Sequence, residues 1–216
     1  DTIKDNPIYV QYGCGWSAPD GWVNFDTSPT LKFERIPLLG KLYTRNNERF
    51  PEAVRVGDAV RGLPVADQSC DGVYASHVLE HLSRKDFDTA VQETFRILKP
   101  GGIARVVVPD LAAAARSYLD ATGAEDATAA DNFMRGTHLG IETRAKGLKG
   151  IIHETLSNAR HFWMWDYPGL AGAFRDHGFT DIRRGQFNDS DDEMFKAVEN
   201  AGRFEDAVCV EARRPA

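Results

Sequence analysis

Ile8-Tyr9-Val10-Gln11-Tyr12-Gly13-Cys14-Gly15, followed after a short link by Gly21-Trp22-Val23-Asn24-Phe25-Asp26, is the stretch whose reading decides the fold. Each half is a short run of aromatic and β-branched residues, the composition of a strand, closed by a turn-forming residue. A Gly-x-Gly directly after a strand lets a ligand approach the backbone where side chains would clash. The third glycine of a dinucleotide fingerprint is missing, because Ala18 stands three residues after Gly15. That counts against a pyrophosphate seated on a helix N-terminus. Between Gly15 and Gly21 there is scarcely room for a helix.

Outward from this stretch, short β-type runs alternate with helical ones, which points to α/β architecture with a parallel sheet. Val54-Arg55-Val56 reads as a third strand ending at Gly57-Asp58, and Gly72-Val73-Tyr74-Ala75 as a fourth. Residues 27–53 contain Pro29, Pro37 and Pro51 and read as loop with one short helix. Phe87, Val91 and Phe95 recur at helical spacing. Ser83 with Asp86 can cap that helix, and Pro100-Gly101-Gly102 stops it. Ile103–Val108 suits a strand buried on both faces. Asp110 can cap an alanine-rich helix from 111 to about 121. Residues 123–165 break the alternation. Pro168 opens a short helix that stops at Gly178, and Thr180–Phe187 and Ala207–Ala212 read as the last strands. Between them, 188–206 is acidic and partly helical.

The chain has 216 residues, 42% hydrophobic and 27% charged, with a formal net charge of -6. That length suits one domain over 1–216, with an insertion at about 123–165. No run approaches a membrane span, and no secretory signal is visible. The acidic balance argues against nucleic acid as partner. Cys14, Cys70 and Cys209 are odd in number and far apart, which fits a reducing cytoplasm. With neither C-x-x-C nor H-E-x-x-H, no metal ligand is assigned.

Asp26 ends the second strand, where a carboxylate can accept both hydroxyls of a ribose. Asp58 ends the third, where a carboxylate can accept from an adenine amino group. Together they describe an adenosine pocket; as single residues, each also suits the capping of a turn.

These residues resemble a known family. Tyr9–Gly15 and Gly21–Asp26 are similar to motif I and the second-strand acid of class I S-adenosylmethionine-dependent methyltransferases. Leu63–Leu82, with Ala75-Ser76-His77 at its centre, resembles the fourth-strand motif, and Leu98-Lys99-Pro100-Gly101-Gly102 the turn before strand five. The resemblance covers about residues 8–110. It implies a Rossmann-like fold with a seven-stranded, mostly parallel sheet, helices on both faces and an antiparallel last strand. It implies S-adenosylmethionine as cofactor, with Gly13, Cys14 and Gly15 against the methionine part. Asp26 would then hold the ribose, Asp58 and Ala59 meet the adenine, and Ser76 and His77 lie beside the sulfonium. The Gly-Trp-Val-Asn-x-Asp variant and Arg160–Asp166 resemble a subgroup associated with bacterial surface-sugar pathways. That implies O-methylation of a small polar acceptor such as a sugar or phosphorylated sugar.

A hydroxyl acceptor needs a base. The base candidates are His77, Asp110, His138, His153 and His161, of which His77, Asp110 and His161 are carried as catalytic. Phe162, Trp163 and Trp165 could form a sugar-stacking wall, although tryptophans are more often core. His81 reads as a packing or hydrogen-bonding residue, Cys14 as a filler under the loop, and Asp189–Glu193 as a solvated acidic face. Arg135, Arg144, Lys146 and Lys149 form a basic cluster that suits either an acceptor phosphate or a solvated loop. Three other readings stay open. A non-catalytic, cofactor-binding partner protein is one. An NAD-dependent oxidoreductase or epimerase is another, and the lack of any Tyr-x-x-x-Lys pair counts against its sugar-modifying form. An RNA or DNA methyltransferase is the third, and the acidic pI and the lack of an Asn/Asp-Pro-Pro-Tyr/Phe motif count against it. A homodimer is an open alternative to a monomer.

Overall fold

The computed structural model describes residues 7–37, 49–143 and 160–216. Seven strands form one sheet: β1 (Tyr9–Tyr12), β2 (Trp22–Asp26), β3 (Val54–Val56), β4 (Cys70–Ser76), β5 (Leu98–Pro109), β6 (Thr180–Gly185) and β7 (Ala207–Arg213). Their spatial order is β3-β2-β1-β4-β5-β7-β6. Strands β1 to β5 pair in parallel, while β7 is antiparallel to both β5 and β6. The chain order reverses between β1 and β4, and ligands of open α/β sheets bind beyond the strand ends at such a switch point.

Among the described residues the helices are α1 (Pro29–Glu34), α2 (Arg84–Ile97), α3 (Leu111–Gly123), α4 (Ala129–Gly136) and α5 (Tyr167–Asp176). Ser83 caps α2 by accepting from the Asp86 N–H, and its hydroxyl donates to the Asp86 carboxylate. Asp110 caps α3 through the Ala112 N–H. Asp166 caps α5 through Gly169 N–H. No helix separates β1 from β2, as the short link requires.

Two features differ notably from the sequence reading. Helix α2 ends at Ile97 and the chain passes directly into β5, so Pro100-Gly101-Gly102 lies within the strand. Pairing with Gly101 and Gly102 is taken over partly by Arg214, whose carbonyl accepts from Gly101 N–H and whose N–H donates to the Gly102 carbonyl. Helix α4 was not legible in the glycine- and alanine-rich region after α3.

The main core lies on one side of the sheet. There α2 and α5 bury Phe87, Val91, Leu170 and Phe174 against Val10, Val73, Val106 and Val210. On the other side Tyr9, Trp22, Tyr74 and Phe195 form a smaller aromatic cluster. That second layer also contains Arg105, fully buried in mid-strand β5. Its guanidinium pairs with Glu199, with Glu211 at 2.8 Å and with Asp189 at 2.8 Å. Arg183 joins from β6, 2.8 Å from both Asp189 and Glu211. The expectation that Asp189–Glu193 is simply a solvated acidic face is therefore corrected. Asp189 balances two arginines, and Asp192 accepts from the Tyr9 hydroxyl at 2.7 Å while capping the turn Glu193–Ala197. Counter-charges so far apart in sequence are invisible to a local reading.

Candidate active site

Three strand ends meet beyond the carboxyl edge of β1, β2 and β3. Gly13 and Gly15 both have positive φ, +65° and +56°, a conformation that favours glycine. Cys14 N–H donates to the Phe25 carbonyl, and Gly57 N–H to the Asp26 carbonyl, tying the three ends together. Asp26 accepts from Gly15 N–H at 2.9 Å and from Ser28 N–H at 2.7 Å. Each of its oxygens retains a further lone pair for a ligand hydroxyl. Asp58 accepts from Val60 N–H at 2.9 Å and stands 3.6 Å from Arg61, with Ala59 buried beside it.

Gly13 and Cys14 have protein neighbours. A β-carbon on Gly13 would fall 2.2 Å from Val78 Cγ2, whereas Gly15 has open space at that position. Cys14 is buried with Leu31, Phe50 and Val54. Burial, aided by Asp26, pushes its thiol up to about 12, the state of an inert filler. Trp16 stacks on Phe50 at 4.8 Å. Ser76 ends β4 with its hydroxyl buried and without a hydrogen bond.

His77 follows β4 with φ +54°, an uncommon conformation for a non-glycine residue. Its N–H donates to the Val107 carbonyl at 2.8 Å. It opens onto a cavity of about 800 Å³ lined also by Glu80, Asp110, His138, His161 and Arg203, with the small face of α3 at Ala113, Ala114 and Ser117 opposite α4 residues Asn132 and Phe133. Helix α3 buries none of its residues, because its alanine face borders this space instead of a core.

The cavity carries an imidazole cluster around one carboxylate. Glu80 is fully buried, and neither carboxylate oxygen has a hydrogen-bond partner. His77 Nδ1 lies 3.5 Å from Glu80 Oε1, His81 Nε2 3.8 Å and His161 Nε2 4.0 Å. Burial raises the Glu80 carboxyl to about 8. Burial lowers His77 and His81, and with the nearby His81 and His138 it lowers His161 to about 4. Low polarity disfavours the charged form of each group. The His138 ring packs on His161 at 4.9 Å. Four of the six histidines thus converge here.

Of the residues carried as catalytic, His77, Asp110 and His161 all line this cavity. Asp110 is also the cap of α3 and lies 3.9 Å from Arg184. His153, Arg144, Lys146 and Lys149 lie outside the described residues. Arg135 pairs with Glu142 at 3.0 Å. Trp165 is not part of a stacking wall. It is buried against Phe87 at 4.2 Å, whereas Phe162 and Trp163 are exposed. Glu80 and His81 were missed as site residues. The available signal was a carboxylate flanked by histidines in His77-x-x-Glu80-His81, but His161 reaches it from the far side of a long connection. The segment carrying His161 is pinned by Phe162 and Trp163 N–H groups donating to the Glu80 carbonyl.

Residues 12–106 match the family model of a methyltransferase domain. An uncharacterized protein of Saccharomyces cerevisiae is 28% identical over 121 residues, 56% of this chain and 13% of that protein. The chain therefore spans a small part of the curated relative it matches. A SAM-dependent methyltransferase from Archaeoglobus fulgidus shares the fold at TM-score 0.51 and 15% identity, covering 98% of this chain and 87% of that one. A possible exported protein from Bordetella parapertussis does so at TM-score 0.50 and 16% identity, covering 98% and 62%. At these identities the likeness is one of fold.

Proposed function

We propose that this chain, whose residues 12–106 match a methyltransferase-domain model, is a class I, S-adenosylmethionine-dependent enzyme that methylates a hydroxyl of a small polar acceptor. A sugar or phosphorylated sugar is the acceptor class we favour. The observation that carries this reading is the junction at β1 and β4. These neighbouring strands end in the glycine loop and in His77, and His77 borders a cavity of about 800 Å³, a size that suits a small molecule.

The residues present fit the cofactor. Gly15 leaves open space where a side chain would stand. Asp26 is fixed by two backbone N–H groups and keeps acceptor capacity for a ribose diol. The orphaned Ser76 hydroxyl offers a polar contact at the end of β4. When bound, S-adenosylmethionine supplies a methyl group on a sulfonium, so positioning provides much of the catalysis.

The acceptor hydroxyl must lose its proton as its oxygen gains the methyl group. His77 is the base we favour. Its Nε2 lies 2.9 Å from the Arg203 carbonyl. A carbonyl only accepts, so the proton sits on Nε2 and the lone pair on Nδ1. Burial keeps the ring neutral, ready to take that proton. Asp110 and His138 are then positioned to bind acceptor hydroxyls.

Calorimetry with S-adenosylhomocysteine tests the cofactor part: wild type binds, and Asp26→Ala weakens binding at least tenfold. Mass spectrometry over a panel of sugars, sugar phosphates and nucleotide-sugars tests the acceptor part, with a gain of one methyl mass expected. No binding to wild type overturns the cofactor reading. Binding without turnover on the whole panel favours a non-catalytic partner role.

A further inference from the structure

We propose that Glu80, His81 and His161 hold one divalent transition-metal cation of the zinc type on the wall of the cavity. One ligand atom from each of the three lies within 4.8 Å of the others. All three residues line the cavity, so the cation would keep open positions toward it. Binding an acceptor oxygen there rests on the methyl-transfer reading; holding the cation does not.

The argument is one of lone pairs. His81 Nδ1 lies 2.7 Å from the Arg160 carbonyl, which fixes the proton on Nδ1 and turns the Nε2 lone pair toward Glu80. His77 presents its Nδ1 lone pair to the same oxygen for the matching reason, a 2.9 Å bond to the Arg203 carbonyl. Acceptor atoms therefore face a carboxyl group that is itself only an acceptor once it ionises, as it must to hold a cation. At 3.5–4.0 Å none of these contacts is a hydrogen bond. A buried carboxylate with neither oxygen bonded is costly, and a cation among the acceptors removes that cost.

The geometry suits the same conclusion. Ligand atoms of a tetrahedral zinc site stand about 3.3 Å apart, from bond lengths of ~2.0–2.1 Å. The spacings from Glu80 to His81 and His161, 3.8 and 4.0 Å, need to contract by about 0.5–0.7 Å to reach it, within a cluster whose ligand atoms span at most 4.8 Å. The backbone already supplies supporting contacts. The Arg160 carbonyl orients His81, and the Glu80 carbonyl holds the Phe162–Trp163 N–H groups next to His161, the kind of outer contact that orients metal ligands. Two imidazoles and one carboxylate favour zinc, cobalt or ferrous iron over magnesium or calcium, which prefer all-oxygen sites.

The test uses tag-free, chelator-treated protein titrated with Zn²⁺ and Co²⁺ by calorimetry and visible absorption. One equivalent of either metal is expected, with Co²⁺ absorption bands of a nitrogen-bound, low-coordinate ion. His81→Ala and Glu80→Gln should each weaken binding at least 100-fold, while His177→Ala, remote from the cavity, leaves it unchanged. Should a variant fail to fold, X-ray absorption of the Zn²⁺-loaded wild type decides, with two imidazoles expected in the scattering shell. Absence of stoichiometric binding, wild-type affinity in both variants, no imidazole scattering, or equal competition by Mg²⁺ overturns the proposal. S-adenosylhomocysteine binding measured on the same samples separates the two failures. Loss of metal binding alone overturns the metal site, and absence of cofactor binding alone overturns the methyl-transfer reading.

Discussion

The side chain of Val78 fills the space beside Gly13 so closely that a β-carbon on Gly13 would fall 2.2 Å from Val78 Cγ2. The glycine loop after β1 is thus locked to the segment after β4, across the switch point of the sheet. Gly13→Ala should destabilise the protein by about 2–4 kcal/mol, from the strained backbone and the overpacking together. Gly15→Ala, with open space around it, should lose only about 1 kcal/mol while weakening S-adenosylhomocysteine binding. Urea unfolding beside calorimetry separates the two effects. Adding Val78→Ala to Gly13→Ala should recover the steric share.

That difference between two neighbouring glycines was not legible in the sequence. Gly13-x-Gly15 after a strand announced a ligand-binding loop, and a local motif can do that because backbone conformation is a local property. Which glycine is left with open space and which faces Val78 depends on a segment more than sixty residues later.

His77→Ala should lower kcat by about 10²–10⁴-fold, the usual share of a general base. Binding of S-adenosylhomocysteine should stay within a few-fold of wild type. Initial-rate kinetics on a methylated acceptor, compared with calorimetry, checks this. An equal loss in both would place His77 in cofactor binding instead.

Arg105→Met should destabilise the fold by about 3–5 kcal/mol, since it leaves buried carboxylates without their partner. Denaturant unfolding measures it. The same network predicts acid sensitivity. Burial opposes ionisation of Asp189, but hydrogen bonds from Arg183 and Arg105 outweigh it and hold the carboxyl below its ordinary value of 3.8. Its contribution is complete above that value and disappears as pH falls through the lower folded one. Thermal melts should therefore fall more steeply below pH 4 in wild type than in Asp189→Asn.

The thiols of Cys14, Cys70 and Cys209 are buried. Desolvation raises all three, Cys14 and Cys209 to about 12, so the protonated thiol is the dominant form at pH 8. A disulfide reagent should label none of the three in the native protein and all three after denaturation. Rapid labelling of the native state would contradict the burial.

The sequence by itself determined the strands, their parallel arrangement and the strand-end residues proposed to hold the cofactor. Apolar periodicity, helix caps such as Ser83 and Asp110, and carboxylates at the ends of β2 and β3 are all local signals. Tertiary structure decided everything that depends on charges meeting across the chain. It turned the acidic run at Asp189 into the counter-charge of Arg105. It settled Trp165 in the core, the more usual place for a tryptophan, and left Phe162 and Trp163 exposed. It also set His161 beside Glu80 and His81, where burial and fixed tautomers give the cluster its chemistry. Electrostatics and desolvation act through space, and a linear reading carries no measure of either.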